Sequence, residues 1–289
     1  MKPPDASGGG YPPSPGKRGL KEQKEKRKMA IIKSGYVLSF VAFILFGVVM
    51  YVYGEYAKKG RIPYLKRLPA FDAMEEAVGR AVEMGRPVVM VPGRGSFTDL
   101  FVAQTVAGLT VLNYVARLCA RNSVKLWAPM SDHLVIPVAR ENVRDAYAAE
   151  GKLDELDAEE TLPYVSGSQF AWASSVIGYY ARERPAANIM VGAFWAESMM
   201  LAESAGRIGA IQVGGTARLY QLPFFAAACD YTLLGEEIFA ASAYMTQDPI
   251  VITSIATTDL FRLVGWVIII VGALLSTVGI NAIYQFLSI

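Results

Sequence analysis

Two long stretches of this chain carry no charged residue, and they stand near its two ends: residues 34–53 and 263–287. A backbone in hydrocarbon must satisfy its own hydrogen bonds, which a helix does, and at ~1.5 Å rise per residue each stretch reaches across a ~30 Å apolar layer. Both are expected to be transmembrane helices. They also account for a composition of 53% hydrophobic residues and mean hydropathy +0.30 over 289 residues, above what a water-soluble domain of this size carries. Tyr51, Tyr53 and Tyr56 gather at the end of the first stretch as an interfacial aromatic belt does, where a secretory signal would end in small residues at a cleavage site. In the second, Gly265, Gly272 and Gly279 recur with Ser276 beside them. That spacing either lays a small-residue seam open to another helix or reflects the ordinary glycine usage of membrane helices.

Charge sets the flanks. Residues 1–33 are expected to be a disordered basic tail: Pro, Gly and Ser dominate as far as Gly16, and Arg18, Lys21, Lys24, Lys26, Arg27, Lys28 and Lys33 follow. Abutting an apolar run, this cluster suits membrane lipid as its partner rather than nucleic acid. With 28 basic against 26 acidic residues there is no domain-wide field to hold a polyanion. Residues 54–70 form a basic juxtamembrane linker with Lys58, Lys59, Arg61, Lys66 and Arg67, so the basic residues on the two sides of the first span nearly balance. A start at Met29 would leave only Lys33 outside, and the domain between the spans has no Asn-x-Ser/Thr sequon. It is therefore expected at the cytoplasmic face of the inner membrane. Cys119 and Cys229 have no CxxC spacing and no further cysteine, which removes a structural zinc site and a redox dithiol.

Residues 71–250 read as one soluble domain, followed by a linker at 251–262. Asp72, with Glu75 three residues on, can cap a helix through Met74, Ala77, Val78 and Val82 that stops at Gly85. Beyond it, short apolar runs of strand type at 87–91, 124–128, 187–192, 208–213 and 230–234 alternate with helical patterns at 98–121, 138–150, 169–184, 196–205 and 217–228. Nearly unbroken apolar strands separated by helices imply a parallel sheet covered on both faces. The expected fold is α/β, a doubly wound, mostly parallel, Rossmann-like sheet flanked by transmembrane helices. The helix at 98–121 is almost apolar enough for a third span, but Gln104, Thr105, Thr110 and Asn113 interrupt it, and a buried helix is expected instead.

Ligands of an open parallel sheet bind beyond the strand C-termini, where helix N-termini point their free N–H groups. That rule gathers Gly93, Arg94, Gly95 and Ser96 after the first strand, and Asp132 and His133 after the second. It adds Phe194, Trp195, Ala196, Glu197 and Ser198 after the third, Gly214, Gly215 and Thr216 after the fourth, and Gly235, Glu236 and Glu237 after the fifth. The glycines around Arg94 could bring backbone N–H groups to an anion, or could form a tight turn capped by Ser96 or Thr98. Gly214-Gly215-Thr216 leaves the same two readings. Thr98 stands where a dinucleotide fingerprint needs glycine, and no Lys-Ser/Thr follows as in a P-loop. His133 is the sole histidine. It could be a general base oriented by Asp132 or Glu197, or a helix-start residue without catalytic duty, and no metal site is assigned. Glu197, Glu203, Glu236 and Glu237 could pair as carboxylates or serve helix macrodipoles. No Gly-x-Ser-x-Gly elbow is present. Catalytic residues and cofactor stay unassigned.

Residues 182–190 (RERPAANIM), 196–198 (AES), 209–216 (GAIQVGGT), 221–225 (QLPFF), 228–232 (ACDYT) and 235–244 (GEEIFAASAY) carry a resemblance, joined upstream by 64–69 (YLKRLP) and 75–80 (EEAVGR). They resemble an uncharacterised family of membrane-anchored bacterial and archaeal proteins, that of domain of unknown function 6754, over about residues 61–249. The resemblance implies a membrane-tethered α/β domain and brings no catalytic residue, cofactor or substrate. Two anchors, a glycine seam and no recognisable catalytic set favour a self-associating scaffold, a homo-oligomer or a module for a membrane-protein partner. The rival is a membrane-tethered binding protein or enzyme for a phosphate-bearing or other anionic small molecule at the rim. A transporter is disfavoured, because the two spans contain no charge.

Overall fold

The computed structural model describes residues 37–58, 68–240 and 249–277. The expected tail at 1–33, most of the basic linker, and residues 278–287 of the second apolar run lie outside the described residues. The chain divides into two units, one of residues 56–256 and one made from the chain before and after it. In the smaller unit the N-terminal run forms α1 (Val37–Lys58). Its apolar part, Phe40–Tyr56, is shorter than a full crossing.

The larger unit begins with α2 (Pro69–Met84) and is built on five strands: β1 (Val88–Gly93), β2 (Leu126–Trp127), β3 (Ala187–Ala193), β4 (Ile211–Thr216) and β5 (Tyr231–Leu234). They form one sheet in the order β2-β1-β3-β4-β5, with every neighbouring pair parallel. Between them run α3 (Val102–Arg121), α4 (Ile136–Ala149), the short α5 (Ala158–Thr161), α6 (Gln169–Glu183), α7 (Glu197–Arg207) and α8 (Leu222–Ala228). Side chains alternate across a strand, and here both sides find cover. Val88, Met90, Ile189, Val191 and Val213 pack with α2, α3 and α4. Val89, Val91 and Met190 pack with Trp172 and Tyr180 of α6, Leu201 of α7 and Phe225 of α8. Burial on both faces is why the strands carry no polar alternation, the doubly wound arrangement anticipated above. The second face holds one polar chain: the Tyr180 hydroxyl donates to Asn188 Oδ1 at 2.8 Å, and the Gln212 N–H donates to Asp230 Oδ2 at 2.8 Å.

Several boundaries differ from the sequence pattern for local reasons. α2 starts at Pro69, whose missing N–H costs nothing in a first turn, so Asp72 sits inside that turn and Leu68 is the cap. Gly85 ends it at φ +61, as expected of a C′ glycine. α3 starts only at Val102, because Asp99 accepts the N–H groups of Ser96 and Phe101 at 2.9 and 2.7 Å and holds residues 96–101 as a turn. It is a buried core helix, with Leu112 and Val115 fully enclosed. α7 continues to Arg207 and Gly209 turns at φ +74, so β4 begins at Ile211, three residues later than the pattern suggested.

α9 (Pro249–Thr277) makes the largest correction. Residues 251–262, expected as a linker, are its opening turns, started by Pro249 and tolerating Asp259 and Arg262 because the two pair at 2.6 Å one turn apart. Its stretch Ile252–Leu274 is long and apolar enough to cross a membrane. The apolar helix thus begins well before residue 263.

Candidate functional site

The strand order reverses between β1 and β3, the one place where consecutive crossovers leave in opposite directions, and such a switch point is where an open parallel sheet binds its ligands. Here the loop 93–101 leaves β1 and residues 194–197 leave β3, with 217–221 from β4 alongside.

Glycine brings these backbones together. A Cβ on Gly93, which has φ +84, would lie 2.6 Å from the Ala193 nitrogen and oxygen, and one on Gly95 would strike the Thr105 hydroxyl. A Cβ on Gly108 of α3 would lie 2.6 Å from the carbonyl oxygens of Pro92 and Val191. Two of the amides in between are engaged: Arg94 N–H donates to Ala193 O at 2.8 Å and Ser96 N–H to Asp99. The Arg94 guanidinium turns toward α6, where Nη2 donates to Gly167 O at 2.7 Å, while Nε is buried without a hydrogen-bond partner.

Glu197 opens α7 and is fully buried. Its Oε1 accepts the Trp195 N–H at 3.0 Å and its Oε2 accepts Gln169 Nε2 at 2.5 Å, so both oxygens are used. Ser198 Oγ lies 2.8 Å from Gln221 Oε1 and 3.0 Å from Trp195 O. Over them sits Arg218, its guanidinium 4.3 Å from the Phe101 ring centroid and 4.4 Å from that of Trp195, two rings that meet edge to face. Arg218 Nη1 is buried with no hydrogen-bond partner. Below, Gln104 Oε1 takes the Ala217 N–H at 3.2 Å and the Thr216 hydroxyl at 3.4 Å.

Of the residues anticipated from sequence, Gly93, Arg94, Gly95, Ser96, Glu197 and Ser198 come to the switch point. Gly214, Gly215 and Thr216 do not form a loop beyond β4; they are its last residues, buried in the sheet. A Cβ on Gly214 would strike Phe225 and Cys229, and one on Gly215 would lie 3.1 Å from Leu233, so the two glycines make room for α8 and β5. Asp132 accepts the Leu134 N–H at 2.7 Å, and His133 is exposed with its ring 4.2 Å from that of Tyr164, at the β2 side of the rim. Glu237 caps the turn after β5 by accepting the Leu234 N–H at 3.0 Å, Glu236 offers its carbonyl to Phe239 and Ala240, and Glu203 pairs with Arg207 on an exposed turn. Trp195, in the rim segment read after the third strand, comes to the switch point as well; sequence reasoning missed Phe101, Gln104, Gln169, Arg218 and Gln221. The helix expected at 217–228 put Arg218 and Gln221 in its first turns; α8 starts only at Leu222, which leaves both in the loop at the switch point.

The chemistry open to this arrangement follows from its hydrogen bonds. Both Glu197 oxygens and the Ser198 hydroxyl are bonded within the fold, and neither side chain meets His133. Among the described residues no nucleophile is paired with a base at the switch point, and no group of three or more His, Cys, Asp or Glu side chains is placed to hold a metal. Both cysteines are free. Burial pushes the Cys119 thiol up, and burial with Asp230 beside it pushes Cys229 up to about 12, so neither is poised as a thiolate. At the opposite end of the sheet, a cleft of about 220 Å³ is lined by Ser123, Lys125, Tyr147, Glu155, Asp157 and Glu160.

A family model described as a domain of unknown function, DUF6754, matches residues 27–287. The chain belongs to that family. The match takes in both apolar runs as well as the α/β domain, so DUF6754 covers the whole helix–domain–helix arrangement rather than residues 61–249 alone. No curated protein and no solved structure matches the chain.

Proposed function

We propose that this DUF6754 protein is a membrane-anchored, non-catalytic interaction module. In this reading α9, joined by the N-terminal apolar helix, holds the α/β domain at the cytoplasmic face of the membrane, where the protein self-associates or gathers a membrane-protein partner. The supporting observation is α9 itself: Leu263, Trp266, Ile269 and Leu274 are more than half exposed on a helix of crossing length, leaving them to lipid or to another helix. The internal satisfaction of Glu197, Ser198 and Asp99 adds to it, since none is left free for acid–base work. Chemical cross-linking in mild detergent at graded protein concentration is expected to give one discrete oligomer. A strictly monomeric ladder would remove self-association.

A second reading is favoured by Arg218. Its unpartnered Nη1, held between two rings, suits an anionic small molecule at the switch point. Inorganic phosphate or a nucleotide would then raise the melting temperature, and Arg218→Ala would abolish the rise. No shift across such a panel ends this reading.

A further inference from the structure

We propose that the strand C-terminal rim is the face the domain turns to the bilayer, with Leu100, Leu134, Phe170, Leu219 and Tyr220 seated in the lipid interface; this rests on the membrane anchoring proposed above. The first support is where the chain enters and leaves the domain. α2 lies over β3, β4 and β5 and is joined to β1 by residues 85–87 alone, so it runs against the strands and its first residue, Pro69, lies toward the rim. β5 runs with the strands and ends at Leu234, again at the rim. The N-terminal link from the domain to its apolar helix therefore starts on this side. The N-terminal link, residues 59–68, is short; ten extended residues span at most about 35 Å.

The second support is exposure. Leu100 is 95% exposed, Tyr220 82%, Leu219 75%, Phe170 59%, Leu134 56% and Met199 51%, and all six lie in loops or first helical turns at the strand C-termini. Among the domain's other described residues no large apolar side chain exceeds 50%. Isolated exposed hydrophobics are ordinary, but the most exposed ones of a domain gathered on one rim are a docking surface.

Lipid is the occupant that fits. Most acidic groups of the rim are tied to the backbone or buried: Asp99, Asp132 and Glu237 each accept a backbone N–H and Glu197 is buried, while Glu236 is exposed. The large apolar side chains that project beside them are leucine, phenylalanine and tyrosine, the residues that settle at a headgroup boundary. A second copy or a soluble partner would have to enter on the side from which the N-terminal link departs.

The test uses the full chain in nanodiscs of phosphatidylcholine with phosphatidylglycerol. Single cysteines replace Leu100, Tyr220 or, as a control at the far end of α2, Glu83, in a Cys119→Ala, Cys229→Ala background, and each carries an environment-sensitive nitrobenzoxadiazole probe. All three positions are exposed, so each labelled chain is expected to melt as its parent does. Probes at 100 and 220 are expected to shift to the blue and to be quenched several-fold more by doxyl-labelled lipid than the probe at 83. Water-like emission at all three positions in protein that has entered the discs would overturn the rim proposal and leave anchoring standing. Shielding of 100 and 220 from aqueous iodide without quenching by doxyl lipid would overturn it too, since protein and not lipid would then cover the rim. Failure to enter the discs at all would overturn anchoring and this inference together.

Discussion

α3 and α9 are both long apolar helices, and they end in opposite surroundings. α3 runs VAQTVAGLTVLNYVARLCAR and buries Leu109, Val111, Leu112, Val115 and Cys119 against the sheet, while α9 leaves Val264, Trp266, Val267, Ile269 and Leu274 exposed. The difference lies in how each is interrupted. Two of the polar breaks in α3 hold it to the rest of the domain: Gln104 bonds Thr216 and Ala217, and Asn113 Nδ2 donates to Asn142 O at 2.7 Å, while Thr105 and Thr110 bond back one turn to Phe101 O and Val106 O. Gly108 lets the helix approach β1 and β3. Past its Asp259–Arg262 pair, α9 carries no charged residue, and Leu263, Trp266, Ile269 and Leu274 stay more than half exposed. Hydropathy alone does not separate a core helix from a membrane helix; the placement of a few polar and small residues does.

Breaking that contrast should have its largest effect in α9. Val264→Lys together with Val267→Lys sets two charges near the centre of Ile252–Leu274, at roughly 3 kcal/mol each in membrane insertion. The double variant is expected to lose most of its membrane-bound fraction in flotation gradients. Full flotation would mean that this helix does not hold the chain. In α3 the same kind of test is one of packing. Leu112→Ala removes a fully buried side chain and is expected to cost about 2–5 kcal/mol, read as a lower melting temperature. Ile269→Ala, in the exposed face of α9, should move that temperature hardly at all.

Smaller again is Gly108→Ala, whose Cβ would lie 2.6 Å from two carbonyl oxygens. Pushing α3 off the sheet should cost about 1–3 kcal/mol in chemical denaturation, and a neutral result would deny the close approach. The smallest effect is electrostatic. At the far end of α3, the hydrogen bond from Arg121, with Arg121 and Arg117 as nearby cations, holds the Glu150 carboxyl below its usual range. A depressed carboxyl stabilises the fold fully above its unfolded pKa of ~4.3 and loses that contribution as pH falls through the lower folded value. Glu150→Gln should therefore melt slightly below the parent at neutral pH, and the gap should close in strong acid. A gap that widened in acid would have the wrong sign.

How far the sequence foretold this molecule depends on what each feature rests on. The parallel sheet was legible because β1, β3 and β4 are apolar on both faces, a pattern only a doubly covered strand produces. Gly85 as a helix stop was legible from local backbone preference. Starting points were less so: Asp99 delays α3 and Gly209 delays β4, each through one turn whose geometry no periodicity reports. That delay decides the candidate site. It moves Gly214, Gly215 and Thr216 into the sheet and frees Arg218 to lie between Phe101 and Trp195, a juxtaposition of residues from three loops that needs the strand order to be seen.

The anchoring on which the rest depends is tested most directly by alkaline carbonate extraction of lysed cells expressing the full-length chain. The protein is expected to stay in the membrane pellet after carbonate and to come out only with detergent. Recovery in the carbonate supernatant would contradict a crossing by α9 and, with it, the placement of the domain against a lipid surface.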